Sequence, residues 1–303
     1  MKNAYLDLDL IRLSSEYKGA DLDKQLILLD SFDDGQAQDN RTNTLFVNHP
    51  VKLSFNIVIF CLEGWMRVQI GLQNFELHAN DVLVVQEGYI GEYQSMSNDA
   101  RIAVIALGAE CLQVSNQIDA TMSLKRKLYA SPLYHLKVEA MEETMTVYRL
   151  MKAKMNETDN PFRRGALLGY LQVLIYNAYK YLLLYEADKD KVKEKLSRQQ
   201  ELYNEFIKEV RKNYAKERSI SYYADILCVT PKYLSQVIHK VSGRFAGDWI
   251  TDYVILEAKA LLKCNKYTVQ QVADMLNFAN QSFFGRYFKD KVGCSPSEYQ
   301  NKD

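Results

Sequence analysis

The segment NQSFFGRYFKDKVG, Asn280 to Gly293, sets Arg286, Lys289 and Lys291 among four aromatic side chains. Wound as a helix, it places Phe284, Tyr287 and Phe288 on one face and Ser282, Gly285, Arg286 and Lys289 on the other. The aromatic face suits burial against a small domain. The outward stripe suits a polyanion: an arginine fork matches guanine O6 and N7, a glutamine matches adenine N6 and N7, and lysines neutralise phosphates. Phe283 stands at the edge of that stripe, where it meets a thymine methyl or no partner.

An element able to present such a stripe occurs twice. Fifty residues earlier, TPKYLSQVIHKVSG (Thr230 to Gly243) repeats the design, with Leu234, Val237, Ile238 and Val241 inward and Lys232, Ser235, Gln236 and His239 outward. Thr230, followed by Pro231, and Asn280 are suited to N-caps, and Gly243 and Gly293 to left-handed C-terminal positions. Upstream of each copy lies a second matched segment, ISYYADILCV and VQQVADMLNF. Each carries an Ala-Asp pair (Ala224-Asp225, Ala273-Asp274) whose small residue admits a closely crossing helix, the packing of a helix-turn-helix. Thr268 and Gln271 have capping-box spacing. Between the copies, Gly247 to Asn265 reads as one helix of about 18 residues, hence about 27 Å. Such a rod would hold two reading helices roughly one DNA turn, about 34 Å, apart.

These residues resemble the AraC/XylS family of bacterial transcription regulators over about 199–300, most specifically at VADMLNFANQSFFGRYFKDKVGCSPSEYQ. Ala273, Phe278, Phe284, Phe288, Lys289, Gly293, Pro296 and Tyr299 fall where the family pattern expects them. Asn277 replaces the usual glycine, a tolerable exchange at a left-handed position. Val254 and Gln300 replace usual arginines, which removes either basic contacts or internal ion pairs. The resemblance implies base contacts from Lys232, Ser235, Gln236, Gln281, Ser282, Gly285 and Arg286, with Arg286 foremost, and backbone contacts from His239, Lys240 and Lys289.

Composition bounds the rest. A chain of 303 residues, 48% hydrophobic and 25% charged, is long enough for two folded domains. Formal net charge is zero, but residues 197–303 carry 16 Lys+Arg against 12 Asp+Glu, which leaves the remainder net acidic. The five cysteines are scattered without C-x-x-C spacing and read as reduced thiols. MKNAYLDLDLIRL has neither a signal-peptide nor an anchor pattern, so a cytoplasmic chain is expected. Gly165 to Ala187 is apolar on nearly every face, but Gln172, Asn177 and Lys180 interrupt it; a helix buried in a bundle or dimer is expected rather than a membrane span.

From Thr44 to Leu107, apolar β-branched runs alternate with breaks at Glu63-Gly64, Ala79-Asn80-Asp81 and Glu87-Gly88, the pattern of antiparallel strands in a small sandwich or barrel. Helical spacing follows over about Leu133 to Met155 and Phe162 to Glu186, where an apolar surface suits a two-fold dimer. ADKDKVKEKLSRQQ reads as a linker or a helix opening, with the domain boundary near Asp190. The expected class is α+β and multidomain: a β domain over 1–110, a helical dimerisation region and linker over 111–190, and an all-α double helix-turn-helix over 191–303. Family resemblance implies a cupin-like β-barrel for the first, and LHANDVLVVQEG resembles the turn-then-strand pattern of such barrels. Phe60, Trp65, Tyr89 and Tyr93 are candidates to line a ligand pocket, against the alternative of a filled barrel core. His49, His78, His135 and His239 are unpaired, so no metal or other cofactor is expected, and His78 reads as a barrel-interior histidine.

The partners that follow are double-stranded promoter or operator DNA, a second copy of the chain, a small effector and RNA polymerase, without a membrane. The leading function is a transcription regulator controlled through the β domain. An effector-free interaction module with constitutive DNA binding is the alternative, and an enzyme with a DNA-binding tail ranks last.

Overall fold

The computed structural model describes residues 7–8, 20–31, 50–108, 111, 132–189 and 198–301. They fall into two compact units divided in the chain near residue 193, except that residues 50–52 group with the second.

The first unit holds eleven strands among the described residues: β1 Asp7–Leu8, β2 Ala20–Leu22, β3 Leu26–Asp30, β4 Val51–Leu53, β5 Asn56–Glu63, β6 Trp65–Ile70, β7 Gln73–His78, β8 Asp81–Val85, β9 Ile90–Met96, β10 Arg101–Leu107 and β11 Leu133–His135. Two helices follow, α1 Val138–Met155 and α2 Arg163–Lys189. The strands make a five-stranded sheet in the order β1-β4-β9-β6-β7 and a six-stranded sheet in the order β11-β8-β5-β10-β3-β2. Both are open, so among the described residues they form no closed cupin-like barrel. The expected breaks are the turns: Gly64, Asn80 and Gly88 all have positive φ. At Gly64 (φ 68°) a Cβ would stand 2.9 Å from the backbone of Ala100, so glycine is required there by backbone conformation and space alike.

Period-two patterning divides β5 between two cores. Ile57, Ile59 and Cys61 enter a cluster that draws side chains from both sheets, including Met66, Val68 and Leu77. Phe60 points the other way, with Leu26, Leu28 and Ile105, into a cluster completed by Met141, Met145 and Tyr148 of α1 and by Leu167 and Leu171 of α2. The helical pair thus covers the outer face of the six-stranded sheet. Burial, with Asp81 and Asp99 adding repulsion, pushes the Cys61 thiol up to about 12, so it is an inert core group. The Tyr148 hydroxyl donates to the Leu29 carbonyl (2.8 Å) and to Asp30 Oδ2 (2.9 Å), and Lys152 Nζ reaches the same carboxylate oxygen at 2.8 Å. This fixes α1 along β3.

The LILLD run of β3 lies outside the Thr44 to Leu107 stretch read as strands, because it is buried on both faces and alternation is lost where each face meets a core. Two expectations need correction. Leu133 to His135 is not the opening of a helix: it pairs antiparallel with β8, and α1 starts at Val138. His78 is exposed at the end of β7, 3.2 Å from Glu76, rather than inside a barrel. Of the polar segment proposed as a linker, residues 187–189 extend α2 and 198 onward open the next helix; the residues between lie outside the described ones, as does His49. No described helix is long and apolar enough to cross a membrane.

The second unit is helical among its described residues from 198 onward: α3 Arg198–Asn213, α4 Ile220–Ile226, α5 Pro231–Ser242, α6 Ala246–Lys263, α7 Val269–Met275, α8 Gln281–Val292 and α9 Pro296–Asn301. Its core is apolar and aromatic, with Phe206 edge-on to Tyr223 at 5.8 Å and Phe288 edge-on to Tyr299 at 5.5 Å. Val254, at a usual arginine position of the resemblance, is fully buried in α6, and Gln300 donates to the Tyr267 carbonyl at 2.9 Å.

Candidate nucleic-acid interface

Helices α4 and α5 form one helix-turn-helix, and α7 and α8 a second. Local signals start and stop each helix. Ser219 caps α4 and Thr268 caps α7, the latter with both hydrogen bonds of the capping box to Gln271. Thr230 Oγ1 accepts from Tyr233 N–H at 3.2 Å, and Asn280 Oδ1 accepts from Phe283 N–H at 2.9 Å. Gly243 (φ 70°) and Gly293 (φ 88°) end α5 and α8 in the left-handed region. Ala224 and Ala273 are fully buried where each pair crosses.

The turns also match. Cys228 (φ 53°) and Asn277 (φ 55°) hold the same left-handed conformation. In both, the next residue donates back to the small residue of the preceding helix, Val229 N–H to Ala224 O at 3.0 Å and Phe278 N–H to Ala273 O at 2.9 Å. Asn277 thus occupies the left-handed position its alignment with a glycine implies.

Helices α5 and α8 share one exposure pattern. Leu234, Val237 and Ile238 of α5 are buried, as are Phe284 and Phe288 of α8, while Val241 and Tyr287 are half-buried. Lys232, Gln236, His239 and Lys240 are exposed on α5; Gln281, Ser282, Arg286 and Lys289 are exposed on α8. Ser235 and Gly285 are half-buried on the same stripes, and the Ser235 hydroxyl donates to the Pro231 carbonyl at 2.9 Å. The structure therefore sets each sequence-predicted group on one outward face of its own helix. The His239 ring stacks on Phe245, with centroids 4.8 Å apart.

The link between the two motifs is α6, 18 residues long, which packs against α5, α8 and α9. A second link carried no sequence signal. Arg218, in the loop before α4, donates to the carbonyls of Leu276 and Asn277, both at 2.6 Å, and its guanidinium lies 4.2 Å from the centroid of the Phe278 ring. Asn277 Nδ2 returns a bond to the Lys216 carbonyl at 2.8 Å. The approach to the first motif is thereby fastened to the turn of the second.

In the first unit the four candidate ligand-binding aromatics do not meet. Phe60 faces the helices, Tyr89 and Tyr93 border the inter-sheet core, and Trp65 carries the Arg67 guanidinium 4.7 Å above its ring. Burial raises the Tyr93 hydroxyl above its ordinary range.

Residues 223–302 match a family model described as a helix-turn-helix domain. The arabinose operon regulatory protein of Salmonella typhimurium is 32% identical over 77 residues, 25% of this chain and 27% of that protein. The raffinose operon transcriptional regulatory protein RafR of Pediococcus pentosaceus is 24% identical over 228 residues, 74% of this chain and 76% of that one. Among solved structures, apo ToxT of Vibrio cholerae has a TM-score of 0.42 at 11% identity, covering 91% of this chain and 97% of its own. The match spans about a quarter of the arabinose regulator's length. Residues 223–302 thus form a helix-turn-helix domain of the AraC type.

Proposed function

We propose that this protein is a sequence-specific, DNA-binding transcription regulator that reads a bipartite operator with α5 and α8. The observation that carries this is the duplicated outward stripe, equal in capping, turn conformation and exposure pattern at two places joined by one helix. Lys232, Ser235 and Gln236 read one half-site, and Gln281, Ser282, Gly285 and Arg286 the other. His239, Lys240 and Lys289 sit on phosphates.

In this reading residues 1–110 sense a small effector or a partner on a cupin-like sheet pair, 111–190 dimerise, and 191–303 bind DNA. Tyr89 and Tyr93, at the border of the inter-sheet core, favour effector entry between the sheets. Dimerisation uses α2, where Gly165, Gly169, Val173 and Tyr176 share an exposed side and a Cβ added to either glycine meets nothing within 4 Å. Control requires an effector that binds two states of the protein unequally. RNA polymerase is the partner through which a bound regulator acts.

Selection of duplexes from a random pool by the full chain, followed by mobility shifts across a salt series, tests the DNA reading. Arg286→Ala is expected to cost about 1 to 3 kcal/mol at one base pair of the selected site. Equal loss on every sequence would remove the base-reading assignment. For the sensor, a metabolite at 100 times its Kd is expected to add about 2.7 kcal/mol of stability in a thermal-shift screen.

A further inference from the structure

Each reading helix exposes one large aromatic ring where the fold does not need it. Phe283 is 55% exposed and Tyr233 is 41% exposed, at equivalent positions of α8 and α5. Phe284 and Phe288, fully buried, already anchor α8, and Leu234, Val237 and Ile238 anchor α5. Both rings stand three residues before the residue at the middle of the outward stripe, Gln236 or Arg286. Both have their backbone N–H held by the N-cap side chain, so the cap fixes the backbone from which the ring projects.

On α8 the ring has a partner. The Arg286 guanidinium carbon lies 4.8 Å from the Phe283 ring centroid, within cation–π range. Between them Gly285 adds no bulk, and the space a Cβ would enter there is open. A guanidinium lying over a ring keeps its N–H edge free for a two-point contact while losing fewer rotamers when it binds. The ring keeps an apolar surface facing the same way. In the major groove the apolar group on a base edge is the thymine C5-methyl, and guanine offers the O6/N7 pair that suits arginine. Base pairs stack about 3.4 Å apart, so two groups 4.8 Å apart address neighbouring steps.

We infer that Phe283 and Arg286 act as one reading unit for a thymine beside a guanine, with Phe283 both contacting the thymine methyl and holding Arg286 against the guanine. The inference rests on the DNA-reading function proposed above and names part of its operator. Phe283 is in this sense a specificity-determining residue as well as a positioning one. Tyr233 holds the corresponding position on α5, three residues before Gln236.

The test uses the full chain and the duplex it selects from a random pool. The guanine read by Arg286 is located as the position whose preference Arg286→Ala abolishes. Each thymine is then replaced singly by deoxyuridine, which removes only the methyl. For the wild type, one replacement next to that guanine is expected to weaken binding about fourfold, the worth of one apolar carbon taken from water. Phe283→Ala is expected to erase that penalty and to weaken the guanine preference, with an unchanged melting curve because the side chain is exposed. Phe283→Leu keeps the methyl penalty and loses part of the guanine preference. If Phe283→Ala removes no deoxyuridine penalty while Arg286→Ala still abolishes the guanine preference, the paired reading is overturned and the DNA-binding function stands. If the pool enriches no sequence, both fall.

Discussion

Cys228 and Asn277 hold the same backbone conformation in the two turns, yet only one has a side chain suited to it. Left-handed φ strains an ordinary side chain, while asparagine tolerates it through local hydrogen bonds. Asn277 adds its bond to the Lys216 carbonyl, whereas the exposed Cys228 places its sulfur 4.0 Å from the Ile226 carbonyl, a weak contact. Cys228→Asn is therefore expected to raise unfolding free energy by about 0.5 to 1 kcal/mol. Asn277→Ala should lower it by about 1 to 2 kcal/mol. Urea denaturation of the two variants checks both signs. Asparagine in place of glycine was readable from sequence because few residues serve there. The matching role of Cys228 was not, because cysteine has no such preference and its φ is set only in the folded turn.

At the level of elements, α5 and α8 were legible because their information is local. Thr230-Pro231, Asn280, Gly243, Gly293 and the Thr268–Gln271 box each act within one turn of the chain, and every one does so in the structure. Elements defined by distant partners were less legible. The β11 strand is a strand because it meets β8, fifty residues earlier in the chain, and β3 lost its alternation to burial on both sides. Arg218 belongs to the same class: a charged loop residue that reads as solvated until the turn of the second motif is placed beside it. Arg218→Ala is expected to cost about 1.5 to 3 kcal/mol, the range for hydrogen bonds from a charged donor. It should also relax the fixed separation of half-sites, seen as a smaller affinity loss when one base pair is inserted between them. An unchanged spacing preference would assign that rigidity to α6 alone.

At the scale of the molecule, the segment 165–187 looked apolar on nearly every side, which suggested burial in a bundle or a dimer. In the structure Leu167, Leu171 and Tyr179 are buried, and Val173 and Tyr176 are about half exposed, at 45% and 49%. The exposed side thus remains available to a second copy under the proposed function. Val173→Glu would place a charge in that interface, and burying an unpaired carboxylate is costly. Light scattering is expected to show the variant at half the wild-type mass, with its melting temperature as a monomer little changed. A wild type that is itself monomeric would instead leave α2 without its proposed role. Two-sided apolar composition therefore located the helix but did not say which side the sheet would claim.

Helix α6 carries a further constraint. Its buried residues include Ile250, Leu261 and Leu262 and the continuous run from Tyr253 to Ala258, so it is buried on several faces, and a motif is attached at each end. Adding or removing one residue within it would turn everything beyond by about 100° and shift it by about 1.5 Å. The buried residues would then lose their partners, and under the proposed function α8 would point away from the groove that α5 enters. Length changes in descendants of this gene should therefore accumulate in loops and be purged from residues 246–263, so that under the proposed function the protein's ruler and the spacing of its operators change only together.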